Sequence, residues 1–185
     1  MDHPILDDAK ERMSKSVDAF RNELVKVRTG KASVAILDRI RVDYYGSQVP
    51  LNQVASLSTP EPRLIVIQPW EKQLLSVIEK EIMKSDLGLT PISDGTFIRL
   101  SIPVLTEERR KELVKLVKKY AEDSRIAIRN IRRDANEQIK KAEKSSELTE
   151  DDSKKLQVAS QKLTDDSVKQ IDDILSQKER EIMEV

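Results

Sequence analysis

Four arginines in one short segment carry the clearest chemistry in the sequence. Residues 125–136 read RIAIRNIRRDAN. At about 100° per residue, Arg125, Arg129, Arg132 and Arg133 fall on one face of a helix. A guanidinium can donate two parallel hydrogen bonds to a phosphate, so a row at one-turn spacing suits a repeating array of phosphates. This arginine row indicates a polyanion-binding face, with an ordinary solvated helix face as the alternative.

Charge is divided unevenly along the chain although its formal net charge is zero. Residues 106–142 hold 12 Lys and Arg against 7 Asp and Glu, whereas residues 143–185 hold 7 against 12. Neutrality therefore conceals a basic helix beside an acidic one. We expect part of this charge to pair across the helix interface. An arginine face directed away from the acidic helix would be left for a polyanion.

Glycine and proline divide the chain into an inserted module and helical arms. All four glycines and six of the seven prolines lie within residues 30–103. These residues punctuate turns and are excluded from helix interiors. We predict a bundle domain of residues 1–29 plus 105–185 and an inserted domain of residues 31–104. The predicted hinge segments between them are 28–31 and 102–105.

Apolar residues at alternating spacings of three and four predict three helices in the arms. The first extends from Leu6 to Val27. The second and third have Thr106 and Thr149 as N-caps, each followed by acidic residues in the first turn. Three apolar seams with short connections predict a three-helix bundle.

The inserted module has the patterns of strands and of one helix. Strands are predicted near residues 40–44, 54–57, 64–67 and 98–102, with a helix over 71–84. The predicted fold class is therefore α+β: an elongated three-helix bundle with an inserted small α/β domain of the β/α/β sandwich type.

The two crossings between the domains predict a hinge. Its residues are Arg28, Thr29, Gly30 and Lys31 in the first crossing and Pro103 and Val104 in the second. Gly30 permits backbone angles that other residues avoid, so two rigid bodies could turn about it. The alternative is that Gly30 only ends the first helix as its C′ residue.

Catalytic and metal-binding groups are scarce. The sequence has no cysteine and a single histidine, His3, which we interpret as a surface residue. This composition excludes thiolate metal sites and Ser-His or Cys-His nucleophilic pairs. We expect no enzyme activity, no metal and no cofactor. The N-terminus lacks the features of a signal peptide, and no apolar stretch approaches about 18 residues. A cytoplasmic protein with no membrane contact is expected.

Three aromatic residues of the module are candidates for exposure or binding. Trp70 follows Pro69 at a predicted strand-to-helix turn, where it would cover a small core or serve as a recognition residue. Tyr44 and Tyr45 are consecutive on a predicted strand, so one of them is expected to be exposed.

Five segments together resemble the bacterial ribosome recycling factor family, over essentially the full length of the chain. They are VRTGKAS at 27–33, VDYYG at 42–46, SDLGLTP at 85–91, LTEERRKEL at 105–113 and RNIRRDAN at 129–136. The resemblance implies an L-shaped protein. It also implies binding to the ribosome after termination and separation of the subunits with elongation factor G and GTP.

The resemblance also implies site residues. Arg132 matches the most important contact to large-subunit ribosomal RNA, with Arg129 and Arg133 beside it and Arg125 as a less specific neighbour. Arg28 matches a contact at the elbow. Lys31 stands where relatives often have arginine, which keeps the charge but loses the planar fork. A monomer is expected. The competing hypothesis is a coiled-coil adaptor or structural protein that does not bind RNA.

Overall fold

The computed structural model, which describes residues 3–184, divides the chain into two units. One unit runs up to Thr29 and resumes at Thr106, and the other is Gly30–Leu105. Residues 1, 2 and 185 of the predicted bundle domain lie outside the described residues. The expected α+β class is confirmed, because the first unit is helical and the second contains both sheets.

Three long helices form the first unit: α1 (Pro4–Val25), α3 (Glu107–Lys144) and α4 (Glu150–Met183). Both predicted N-caps are confirmed. Thr106 Oγ1 accepts a hydrogen bond from the Arg109 N–H at 3.2 Å, and Thr149 Oγ1 accepts one from the Asp152 N–H at 3.1 Å. Acidic residues in each first turn complement the positive end of the helix dipole.

The ends of α1 differ from the prediction. Its C-cap is Lys26, so Gly30 lies beyond the helix end and is not its C′ residue. That alternative for Gly30 is wrong. At the other end His3 is the N-cap, and its Nδ1 accepts from the Ile5 N–H at 3.3 Å while Pro4 occupies the first helical position. The only histidine therefore contributes to starting a helix.

Most buried positions in the bundle follow the predicted apolar seams, but on α3 the fully buried residue is Ala121 where the half-buried Tyr120 was predicted. Along α3, Val117, Ala121, Ile128 and Ile139 are fully buried. On α4, however, the buried residues include three small polar ones, and hydrophobic periodicity does not identify these: Ser153, Ser160 and Thr164. Small side chains at such positions allow helices to approach closely. Thr164 Oγ1 donates to Ser160 O at 2.9 Å and Ser153 Oγ accepts from Gln157 Nε2 at 3.2 Å, whereas Ser160 Oγ has no partner among the described residues.

Six strands, one α-helix, α2 (Leu74–Lys84), and two short 3₁₀ helices, Val34–Leu37 and Leu51–Gln53, form the regular structure of the second unit within the described residues. β1 (Arg41–Tyr44) and β2 (Ser47–Pro50) make a hairpin. The other sheet is antiparallel in the order β3-β4-β6-β5, with bounds Ala55–Glu61, Leu64–Pro69, Ile98–Ser101 and Ile92–Ser93. β2 and β5 were not predicted, because neither has an alternating apolar pattern long enough to detect.

The core of the second unit combines α2 with both sheets. Ile65, Ile67, Ile78 and Leu100 are fully buried, among others. Trp70 does not cover this core: it is 68% exposed, so that interpretation is wrong. The expectation that one of the two tyrosines is exposed is confirmed, since Tyr45 is 78% exposed and Tyr44 is half-buried.

Two isoleucines on α3 provide a matched test of the bundle core. Ile128 is fully buried, whereas Ile126 on the same helix is 47% exposed. We expect Ile128→Ala to lower the free energy of unfolding by about 2–4 kcal/mol, because it leaves a cavity among packed side chains. Ile126→Ala should change it by less than ~1 kcal/mol. Urea unfolding followed by the helical circular dichroism signal measures both; equal effects would contradict the assigned packing.

Candidate nucleic-acid interface

The arginine row lies on the side of α3 that borders α4, with the two helices antiparallel. Arg125 Nε donates to Asp172 Oδ1 at 3.0 Å, and Arg132 Nη1 donates to Gln161 Oε1 at 2.9 Å. As residue numbers rise on α3, those of the partners on α4 fall. The arginines therefore stand along the seam between the basic helix and the acidic one, and the row is not directed away from α4.

Arg125 is largely engaged inside the protein. Its side chain is 19% exposed and forms ion pairs with Asp172 of α4 and with Glu122 one turn earlier. Burial works against the charge, but the bonds to Asp172 and Glu122 outweigh it and raise the pKa of Arg125 above its usual value. The expected pairing of charge across the helix interface is confirmed at this position. Arg125 holds α3 to α4.

Arg129 and Arg133 are more accessible. Arg129 Nη1 lies 3.3 Å from Glu122 Oε1, and its side chain is 46% exposed. Arg133 is exposed and has no hydrogen-bond or ion-pair partner within residues 3–184. An exposed ion pair such as Arg129–Glu122 contributes only about 0.2–1 kcal/mol, so a phosphate can replace the carboxylate at little cost.

A shallow groove between α3 and α4 extends this basic surface. Its α3 side includes Arg132, Arg133, Asn136, Glu137 and Lys140, and its α4 side includes Gln161. The neighbouring stretch of groove adds Arg129 and several α4 side chains: Thr164, Asp165, Val168, Lys169 and Asp172. Asn136 Oδ1 is buried there with no hydrogen-bond partner among the described residues. The guanidinium and ammonium groups are the donors that this surface offers to phosphate oxygens.

Gln161 is a member of this site that sequence reasoning missed. Its Nε2 donates to Asp165 Oδ1 at 2.8 Å, which turns Oε1 toward Arg132. The carbonyl oxygen is neutral, so it orients the guanidinium without cancelling its charge. The Gln-Asp spacing of one helical turn is visible in the sequence, but its direction toward Arg132 depends on how α4 packs.

Arg28 is not brought together with the arginine row. α1 runs antiparallel to α3, because Arg12 Nη2 contacts Asp134 Oδ2 at 2.7 Å and Leu6 shares a cluster with Ile139. The end of α1 at Val25 is therefore ~20 Å along the axis from the level of Arg12 and Asp134. Arg28, which is exposed, follows that end.

The first predicted hinge segment contains a backbone conformation that favours glycine. Gly30 has φ +78°, and a Cβ at this position would lie 3.1 Å from Leu105 Cγ. Both residues belong to the second unit, so the two predicted hinge segments meet at this contact. Any larger residue at position 30 would strain the backbone and displace Leu105.

Two other kinds of feature, a metal-binding cluster and a membrane-spanning helix, are absent from residues 3–184. No group of three or more His, Cys, Asp or Glu side chains is arranged to hold a metal ion. No helix in this range combines the length and the apolarity that crossing a membrane requires.

Comparison with known proteins identifies relatives along the whole chain. A family model described as ribosome recycling factor matches residues 20–183. Ribosome-recycling factors from Bacillus pumilus and Halalkalibacterium halodurans are 54% and 56% identical over 185 residues, covering 100% of each chain. The one from Oleidesulfovibrio alaskensis is 57% identical over 181 residues, 98% of each chain.

Solved structures agree with these relatives. A solution structure of ribosome recycling factor matches with a TM-score of 0.77 at 42% identity, covering 98% of this chain and 96% of that one. A second match has a TM-score of 0.64 at 43% identity and covers 97% of each chain. It comes from models of the T. thermophilus ribosome recycling factor and the E. coli elongation factor G bound to the E. coli post-termination complex. The chain described here belongs to the ribosome recycling factor family.

Proposed function

We propose that this protein recycles ribosomes after termination, by binding ribosomal RNA of the large subunit and separating the subunits together with elongation factor G and GTP. The observation that carries the proposal is the accessible part of the arginine row, Arg129, Arg132 and Arg133, beside a groove in a member of this family. The T. thermophilus relative is described together with elongation factor G on the post-termination complex, which supports the choice of partner.

The three arginines differ in how they would meet phosphate. Arg133 has no partner to give up within the described residues, and Arg129 exchanges a weak, exposed ion pair with Glu122. Arg132 is already oriented by Gln161. Contacts of this type hold the RNA backbone and respond to its shape, and they do not read base sequence.

Arg125 and Arg28 have secondary roles in the proposal. Arg125 holds α3 against α4 through Asp172 and lies next to the phosphates without being their main contact. Arg28 is a separate contact near the hinge segments. The rival hypothesis of an adaptor depended on apolar seams available to other chains, and the seam residues are instead buried within this chain.

The protein itself supplies no bond-making chemistry in this proposal. GTP hydrolysis belongs to elongation factor G, which acts on the unit Gly30–Leu105 in the cytoplasm. The hinge at residues 28–31 and 102–105 lets that unit move while the bundle of a monomeric protein stays bound to RNA.

Replacing Arg132 tests the RNA contact. We expect Arg132→Ala to weaken ribosome binding by about 10- to 100-fold, since a charge-assisted bond to phosphate is lost. The slope of log affinity against log salt should become less steep by about 0.7–0.9. Binding at several salt concentrations measures both, and light scattering with elongation factor G and GTP measures subunit separation.

Arg180→Ala is the matched control for Arg132→Ala, because Arg180 is an exposed arginine of α4 outside the groove. It should bind and split ribosomes like the parent chain. The proposal fails if Arg132→Ala also binds and splits like the parent at every salt concentration.

Gln161 should affect affinity without affecting the salt slope. Gln161→Ala removes the group that orients Arg132 but removes no charge, so we expect affinity to fall by about tenfold or less with an unchanged slope. Gln177→Ala is the control, since Gln177 also lies on α4 and contacts an acid one turn later, Glu181 at 3.5 Å. Equal affinities for the two variants would show that Gln161 has no positioning role.

The hinge can be tested with spin labels, because the chain has no cysteine of its own. Cysteines replacing exposed Lys80 of α2 and Lys155 of α4 report on the two units. We expect a broad or multiple distance distribution in the free protein. A pair at Lys10 and Lys155, both in the bundle, should give one narrow peak. An equally narrow peak for both pairs would rule out the hinge.

A further inference from the structure

Two tyrosine rings of the second unit pack together, and a tryptophan precedes the carboxylate that binds them. The sequence has six aromatic residues, and three of them are Tyr44, Tyr45 and Trp70. Tyr45 and Trp70 are 78% and 68% exposed. Large aromatic side chains contribute most to folding stability when they are buried. Two that remain in solvent on one small unit are therefore unusual, and exposed aromatic residues are typical of binding surfaces.

Tyr45 occupies a position that its residue type does not favour. It forms the two-residue turn of the β1–β2 hairpin with Gly46, and Tyr44 pairs with Ser47 across the strands. Both turn residues have positive φ, 49° at Tyr45 and 83° at Gly46. Asn-Gly is the preferred sequence for such a turn, whereas a bulky residue with positive φ is strained. The ring gains little burial in exchange and is held at the surface by a hydrogen bond to Glu71 and a contact with the Tyr44 ring.

A carboxylate fixes both tyrosines in place. Glu71 Oε1 accepts from the Tyr44 hydroxyl at 2.8 Å, and Oε2 accepts from the Tyr45 hydroxyl at 3.4 Å and from Gln73 Nε2. Hydrogen bonds from Tyr44 and Gln73 lower the pKa of Glu71, so it stays ionised at neutral pH. The two rings also meet edge to face, with centroids 4.6 Å apart. The hairpin tip is thus held rigidly against the turn before α2, next to Trp70.

We propose that this aromatic patch, formed by Tyr45, Trp70 and Glu71, is a docking surface for a protein segment that carries an arginine or lysine. Exposed tyrosine and tryptophan rings attract a cation over their faces, and an adjacent carboxylate adds a direct charge partner. Asp43 lies at the same hairpin, where it accepts from the Gly46 N–H at 2.9 Å. This second acid increases the preference for a cationic partner.

The same charges argue against RNA as the occupant. Stacking platforms for unpaired bases combine aromatic rings with basic side chains that follow the phosphates. At this patch the charged groups fixed beside the rings are the carboxylates Glu71 and Asp43, which repel phosphate. The patch is therefore distinct in chemistry from the arginine row on the first unit, and each surface takes a different class of partner.

Replacing Tyr45 separates folding from docking. Tyr45→Asn creates the preferred turn sequence, so the thermal midpoint should be unchanged or higher. The probe is purified elongation factor G with GTP on post-termination ribosomes, a choice that rests on the proposed function. We expect ribosome affinity and its salt slope to stay at the parental value, while subunit separation slows by about tenfold or more, as for loss of an interface aromatic. Met83→Ala is the control, because Met83 of α2 is 68% exposed, comparable with Tyr45, and this variant should behave like the parent.

Cross-linking identifies the occupant directly. With p-benzoylphenylalanine at position 45 or 83 in otherwise identical complexes, we expect position 45 alone to link to a lysine- or arginine-containing peptide of elongation factor G. Parental rates of separation for Tyr45→Asn, a cross-link from position 45 to RNA, or equal yields from both positions would overturn the proposal. Failure of the parent chain itself to separate subunits would instead refute the proposed function.

Discussion

Close packing of α3 against α4 is the constraint on which the candidate RNA interface depends. On the α4 side Ser160 and Thr164 are buried, and Thr164 lines the groove that Arg129 and Arg132 also line. This packing allows Gln161 to reach Arg132 and Asp172 to reach Arg125. A larger separation would remove the α4 partners of Arg125 and Arg132, while the Arg129–Glu122 pair lies within α3. The interface is thus a product of helix packing as much as of residue type.

The same packing divides equivalent arginines into different roles. Arg125 pairs with a carboxylate of α4 and links the two helices. Arg132 contacts a neutral amide, so its charge is not neutralised, and Arg133 is exposed. Because the chain is neutral overall, long-range attraction to RNA is weak and affinity depends on this local group of charges. Acidic residues beside the groove set how much of the row is available.

In the second unit, the exposed Tyr45 has a positive φ, which bulky residues rarely adopt. Most of that unit follows ordinary sequence–structure relations, with apolar residues of β4 and β6 alternating into the core. Tyr45 is the exception, since it accepts an unfavourable backbone angle and leaves its ring in solvent. Trp70, which precedes Glu71 in the chain, is exposed as well. Glu71 and the Tyr44 ring hold the Tyr45 side chain at the surface, and its exposure in a fixed position is the basis for inferring a binding role.

The sequence by itself determined the features that arise from local interactions. The bundle helices and the α+β class followed from the three-four spacing, from the caps Thr106 and Thr149 and from the concentration of all glycines and six of the seven prolines in residues 30–103. Short strands such as β5 were not predicted, because two residues carry no periodic signal. Only the tertiary structure decided that Arg125 is engaged, that Gln161 orients Arg132 and that Trp70 faces solvent. Those outcomes depend on which faces of the helices and strands pack together, and contacts between residues distant in sequence determine that packing.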